Sequence, residues 1–150
     1  MKVQTKFVND KIKNDYGCPE YGSANAAGFD LRSAEDTFVL KAGESRIIGT
    51  GVAIFVEDPC FFGLMAPRSG LGIKHGIILR NSVGIIDSDY QNEIRLGLYN
   101  SSNEDFEVQF GDRVCQFLVI PVQRVEFSVV DKFDKTTERG LGGLGSTGKN

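Results

Sequence analysis

Polar and apolar residues alternate at Phe106, Val108 and Phe110, at Val125, Phe127 and Val129, and at Ile94, Leu96 and Leu98. Successive side chains on a strand point to opposite faces, so each triplet predicts a strand with one face buried. Runs rich in β-branched and aromatic residues at 3–8, 37–40, 46–56, 61–66, 76–79 and 114–120 predict further strands, the third of them broken at Gly49 and Gly51. No stretch carries the repeat of a long helix. The best helical signal is a turn or two over 69–75, with Ser69 placed to cap its start and Gly76 to end it. About ten short strands without intervening helices predict an all-β sandwich, jelly roll or barrel. The β pattern stops after Phe133, and 134–150 is polar, with Gly140, Gly142, Gly143, Gly145 and Gly148 close together. The chain thus divides into a β domain over 1–133 and a glycine-rich arm over 134–150, flexible until a ligand or partner orders it.

Composition narrows the function classes. At 150 residues the chain has room for one domain with a real core. Its 17 basic and 20 acidic residues leave a net charge of −3, which argues against coating nucleic acid; any bound polyanion must be met locally. The first ten residues are charged and hold only short apolar stretches, unlike a secretory signal or a membrane span. The expectation is a cytoplasmic protein without a membrane or nucleic-acid partner. Cys18, Cys60 and Cys115 are odd in number and form no Cys-x-x-Cys pair, so neither a disulfide framework nor a zinc knuckle is expected. His75, the single histidine, excludes a His-rich metal site within one chain.

Two familiar patterns in the arm fail on context. Gly140-Leu141-Gly142-Gly143-Leu144-Gly145 fits a dinucleotide fingerprint, but no helix or acidic residue follows it in this sequence. The stretch 143–149 nearly spells a phosphate-binding loop, yet Asn150 stands where a magnesium-binding hydroxyl belongs. Arg139, Ser146, Thr147 and exposed N–H groups could still wrap a phosphate chain. Pro67-Arg68-Ser69-Gly70 offers an Arg fork, a hydroxyl and N–H groups at a helix start, which suits an anion or simply a capped turn. Asp87, in Gly84-Ile85-Ile86-Asp87-Ser88-Asp89-Tyr90, is either a general base at a strand end or the acceptor of an Asx turn. Gln116 interrupts an apolar run, and a buried amide needs a partner, either backbone or a ligand site. Asp30 sits between apolar residues and needs an Arg, a helix terminus or a hydrated metal.

Five segments occur in an order that resembles the trimeric dUTPases (deoxyuridine triphosphate nucleotidohydrolases) of bacterial or bacteriophage type. They are Ala27-Gly28-Phe29-Asp30-Leu31-Arg32, Pro67-Arg68-Ser69-Gly70-Leu71-Gly72, 81–94, Gly111-Asp112-Arg113-Val114-Cys115-Gln116, and 139–148. The resemblance implies a distorted jelly roll of the β-clip kind with one short helix. It implies a homotrimer whose sites lie at subunit interfaces, each closed by an arm acting as a lid. Asp87 would activate the water that attacks the α-phosphorus of dUTP, giving dUMP and pyrophosphate; the reaction keeps uracil out of DNA and supplies dUMP for dTMP synthesis. Arg68, Ser69 and Gly70 would hold phosphates, Gln116 the α-phosphate region, and Arg139, Ser146 and Thr147 the γ end. Mg2+ would ride on the phosphates with no direct protein ligand, Asp30 reaching it through water. The hairpin 81–94 would read uracil through Asn81 and the backbone of Gly84, Ile85 and Ile86, while Tyr90 under the deoxyribose would reject a 2′-hydroxyl. Arg95, at a position often basic in the family, joins the substrate set, and His75 is structural. Leu144 stands where the family usually stacks an aromatic residue on uracil, and Asn92 where it usually has glycine. Alternatives are a dCTP deaminase of the same fold and a non-catalytic, nucleotide-binding regulatory trimer.

Overall fold

The computed structural model describes residues 1–140. The strictest alternation gives the clearest strand: Ile94, Leu96 and Leu98 are 0%, 4% and 0% exposed, while Arg95 between them faces solvent. Among the described residues the elements run β1 (Gln4–Phe7), α1 (Asp10–Tyr16), β2 (Phe29–Arg32), β3 (Phe38–Leu40), β4 (Ser45–Phe55) and β5 (Phe61–Pro67). There follow α2 (Ser69–His75), β6 (Ile77–Leu79), β7 (Gly84–Ile86), β8 (Glu93–Asn100), β9 (Phe106–Val108) and β10 (Arg113–Pro121).

The strands form two four-stranded sheets, ordered β1-β4-β8-β6 and β2-β10-β5-β7, with β3 and β9 as a small third. All pairings are antiparallel. The large sheets share one core, in which Leu31, Met65, Cys115 and Phe117 of one meet Ile48, Val52, Ile54, Ile94 and Leu98 of the other. Phe29 and Phe117 stack there at 5.4 Å. Burying a side chain of this size contributes roughly 1.5–3 kcal/mol, which makes the shared core the main reason the sheets stay together. Asn100, fully buried, donates to the carbonyls of Leu40 and Glu104 at 2.9 and 2.8 Å and so carries no unpaired amide into the interior. This is the distorted jelly roll that the resemblance implies, one of the all-β architectures the strand pattern left open.

Four expectations need correction. There are two short helices among the described residues, not one: α1 buries only Ile12, too little for a periodic signal, and is capped by Asn9, whose Oδ1 accepts from Ile12 N at 3.0 Å. In α2, Ser69 is the first helical residue and not the cap; Arg68 holds the extended cap position without a side-chain cap bond, while Gly76 ends the helix in the left-handed region as expected. Val125, Phe127 and Val129 form no strand and are 67%, 89% and 97% exposed: among the described residues no strand edge pairs with them. The segment 81–94 is not a two-stranded hairpin. Its β7 pairs with β5 in one sheet and its β8 with β4 and β6 in the other, so 87–92 crosses between sheets.

Candidate active site

On β2, Phe29 and Leu31 turn inward, which sends Asp30 to the outer face of its sheet. Arg68 Nε donates to Asp30 Oδ1 at 2.9 Å and Arg113 Nη1 to Oδ2 at 3.2 Å. Arg68 Nη1 also reaches the Arg113 carbonyl at 3.2 Å, closing the cluster. One carboxylate between two guanidinium groups leaves one net positive charge, fixed in direction by charge-assisted bonds. The Arg that Asp30 requires is thus a pair. Arg68 also holds the cap position just before α2, so it lies next to Ser69 and Gly70, both exposed, whose N–H groups head a helix and have no acceptor within it.

Register adds Gln116, which pairs with Asp30 on one side and with Ala66 on the other. Gln116 is exposed, which removes the buried-amide problem: Cys115 and Phe117 take the inward positions, and the amide joins the face of Asp30. Sequence reasoning passed over Arg113, whose signal was a cation three residues before the only polar break in an apolar run. Beneath the cluster, burial and then the negative charge of Asp30 push the Cys115 thiol up to about 12, with Arg68 acting the other way. A neutral, fully buried thiol is inert. A disulfide-exchange reagent is therefore expected to leave Cys115 unmodified in native protein and to reach it only in denaturant, as peptide mapping would read.

A second cluster forms around β7. Gly84, Ile85 and Ile86 pair with Met65, Leu64 and Gly63, which carries Asp87 out of the strand end into solvent. The following turn is tied by Tyr90 N to the Asp87 carbonyl at 3.1 Å and by Glu57 N to the Ser88 carbonyl at 2.8 Å. Asp87 therefore sits exposed on a turn that backbone bonds alone close, and among the described residues its carboxylate accepts no Asx-turn hydrogen bond. Tyr90 Oη donates to the Glu93 carbonyl at 2.9 Å. Asn81 is exposed in the turn before β7, and Arg95 points outward from β8 opposite Gly49. A groove of about 450 Å³ beside Asp87 is walled by Phe61, Phe62 and Ile85.

The two clusters stand apart. Gln116 is level with Ala66, whereas Ile86 is level with Gly63, so Asp87 lies four residues further along β5 and two strands across from Gln116. At ordinary sheet spacings that is about 13 Å along the strands and about 10 Å across them. Arg139 lies in the turn closed by Gly140 N donating to the Thr137 carbonyl at 2.9 Å. Leu144, Ser146 and Thr147 lie outside the described residues.

A family model for dUTPase matches residues 14–148. The chain is 45% identical over 150 residues to the deoxyuridine 5′-triphosphate nucleotidohydrolase of Psychrobacter cryohalolentis, across 98% of this chain and 97% of that one. It is 42% identical over 149 residues to the enzyme of that name from Haemophilus influenzae, across 99% and 98% of the two chains. Among solved structures, it overlays the Staphylococcus bacteriophage 80alpha dUTPase with dUpNHpp at a TM-score of 0.85 and 25% identity, covering 98% of each chain. A mutant dUTPase from phage phi11 of S. aureus, which reveals the coordination of a structural Mg(II) ion, matches at a TM-score of 0.79 and 21% identity, over 90% of this chain and 100% of that one. The ordered motifs, the two-sheet core and relatives that match from end to end lead to one assignment: this chain belongs to the dUTPase family.

Proposed function

We propose that the protein hydrolyses dUTP to dUMP and pyrophosphate, at sites that form only when three copies of the chain assemble. The observation that supports a site shared between chains is the separation of the two clusters; that the chains number three is what the family resemblance implies. A general base must come within hydrogen-bond reach of the attacking water, about 3 Å, and that water must touch the phosphorus held by the other cluster. Asp87 and the Arg68 cluster of one chain, so far apart, cannot serve the same phosphorus. Two chains can, each giving a different cluster. The exposed alternation of Val125, Phe127 and Val129 supports the same reading, because an apolar ribbon of this kind gains from a neighbour that covers it.

In this reading Asp87 of one chain takes a proton from water as its oxygen attacks the α-phosphorus in line. The bond from that phosphorus to the bridging oxygen breaks, and pyrophosphate leaves. Arg68, Ser69, Gly70 and Gln116 of another chain hold the phosphates, with Arg113 added to the set. Asp30 aims both guanidinium groups, and the remaining lone pairs on its oxygens can accept hydrogens from metal-bound water. Among the described residues no three His, Cys, Asp or Glu side chains form a cage. With its two oxygens already held by Arg68 and Arg113, Asp30 suits Mg2+ reached through water and carried by the phosphates better than direct ligation. When bound, Mg2+ supplies charge neutralisation on the triphosphate. The arm 134–150 of the third chain closes the site, with Arg139, Ser146 and Thr147 over the γ end and Leu144 over the base. Asn81 and the backbone of 84–86 read uracil, Tyr90 excludes ribose, and Arg95 stands at the edge of the pocket.

Among the described residues no helix is long and apolar enough to cross a membrane. The proposed place of action is the cytoplasm, or the host's cytoplasm for a phage-borne copy. Pyrophosphate release from dUTP, dCTP, dTTP and UTP tests the reading. Release is expected from dUTP, with dCTP, dTTP and UTP left nearly untouched, and is expected to be lost with a chelator. Equal release from all four refutes it, ammonia from dCTP indicates a deaminase, and dUTP binding without release indicates a regulatory module.

A further inference from the structure

The ladder between β4 and β8 holds from Ser45 opposite Tyr99 to Gly49 opposite Arg95 and resumes at Ala53 opposite Glu93. Between those points Thr50, Gly51 and Val52 face Ile94 alone, so some β4 backbone groups lose their strand partners. Side chains replace them. Glu93 Oε1 accepts from Gly51 N at 2.8 Å, Glu35 Oε1 accepts from Gly49 N at 2.9 Å, and Thr50 Oγ1 donates to the Ile94 carbonyl at 2.7 Å. Gly51 adopts a φ of +72°, and a Cβ on Gly49 would collide with the Glu93 carboxylate. Gly49 is thus shaped around the carboxylate, while Gly51, whose own space is closed by Asn9 and Ile12, meets it through its N–H. On its backbone side Glu93 carries the neighbouring loop: its carbonyl accepts from Tyr90 Oη at 2.9 Å and its N–H donates to Asn92 Oδ1 at 2.8 Å.

We propose that Glu93 is a positioning residue for sugar discrimination, its carboxylate seated in the β4 bulge so that its carbonyl holds the Tyr90 hydroxyl in place. The inference rests on the role given to Tyr90 above. A ring rejects a 2′-hydroxyl by contact, and contact discriminates only if the ring cannot yield; a shift of an ångström opens the needed space. The phenol is anchored at its far end by one hydrogen bond, and the acceptor of that bond is held in turn by the bulge. Without the Glu93 carboxylate, Gly51 N loses its acceptor, the start of β8 loosens and the ring can tilt away from ribose.

The test measures kcat and KM for dUTP and UTP, with melting temperatures, for wild type, Glu93→Ala, Glu93→Gln, Tyr90→Phe and the Glu93→Ala/Tyr90→Phe pair. Glu93→Ala and Tyr90→Phe are each expected to lower the dUTP-over-UTP preference in kcat/KM about fivefold, the scale of one lost hydrogen bond. The pair should fall no further than its worse member, since both act through one contact. Glu93→Gln, whose Oε1 still accepts from Gly51 N, should stay within about twofold of wild type. A purely structural role lowers melting temperature and the kcat/KM of both nucleotides together without moving their ratio. That outcome, or single effects that multiply in the pair, overturns the proposal. Glu93→Asp, which keeps the charge but withdraws it by one methylene, reads the same ratio if the alanine variant does not fold. A wild type with no preference for dUTP over UTP refutes the reading of Tyr90 instead, which keeps the two failures apart.

Discussion

Asp87→Asn is expected to lower dUTP turnover about 10²–10⁴-fold with little change in KM. Asparagine matches aspartate in size, and the bond that closes the turn, from Tyr90 N to the Asp87 carbonyl, uses backbone only. The geometry therefore survives while the capacity to take a proton is lost. Because Asp87 ends β7 in solvent and touches water in the proposed reaction, its loss should appear in kcat. Steady-state pyrophosphate release reads both constants. Turnover within about threefold of wild type removes the base role, and a raised KM at unchanged kcat moves Asp87 into binding.

Two inactive variants are expected to restore activity when mixed. Arg68→Ala disables the phosphate cluster and leaves Asp87 intact; Asp87→Asn does the reverse. If a site takes one cluster from each of two chains, a random one-to-one trimer holds both intact clusters at about a quarter of its sites. The expected result after co-expression or joint refolding is therefore roughly a quarter of wild-type activity, against almost none for either variant alone. A single chain carrying both substitutions, mixed with itself, should stay inactive. If mixing restores nothing although the chains co-assemble, both clusters must act within one protomer, and the register separation between Gln116 and Asp87 has been bridged by a movement of the chain.

The parts of the fold that could be read in advance share a physical basis. Ile94, Leu96 and Leu98 announced β8 because side-chain direction alternates residue by residue, and Gly76 announced the end of α2 because a left-handed terminus favours glycine. Gln116 misled because β10 is apolar on both faces: Leu118 and Ile120 are only half-buried, so hydrophobic neighbours did not mean an inward position. Helix α1 stayed hidden because a seven-residue amphipathic segment with Ile12 as its one buried residue has no repeat to detect. Val125, Phe127 and Val129 carried a true alternation without a partner strand among the described residues.

What the sequence alone determined here is local: which residues of a strand share a face, where a helix stops, and which segments carry acid, hydroxyl and guanidinium groups. Only the tertiary structure decided that Asp30 is met by Arg68 and Arg113, 38 and 83 positions away. It likewise decided that Asp87 lies at the other end of the same sheet, and that Glu93 fills a gap in β4. The reason is that strand order and register follow from how whole faces bury against one another. That balance is summed over the entire core, and no short window of residues contains it.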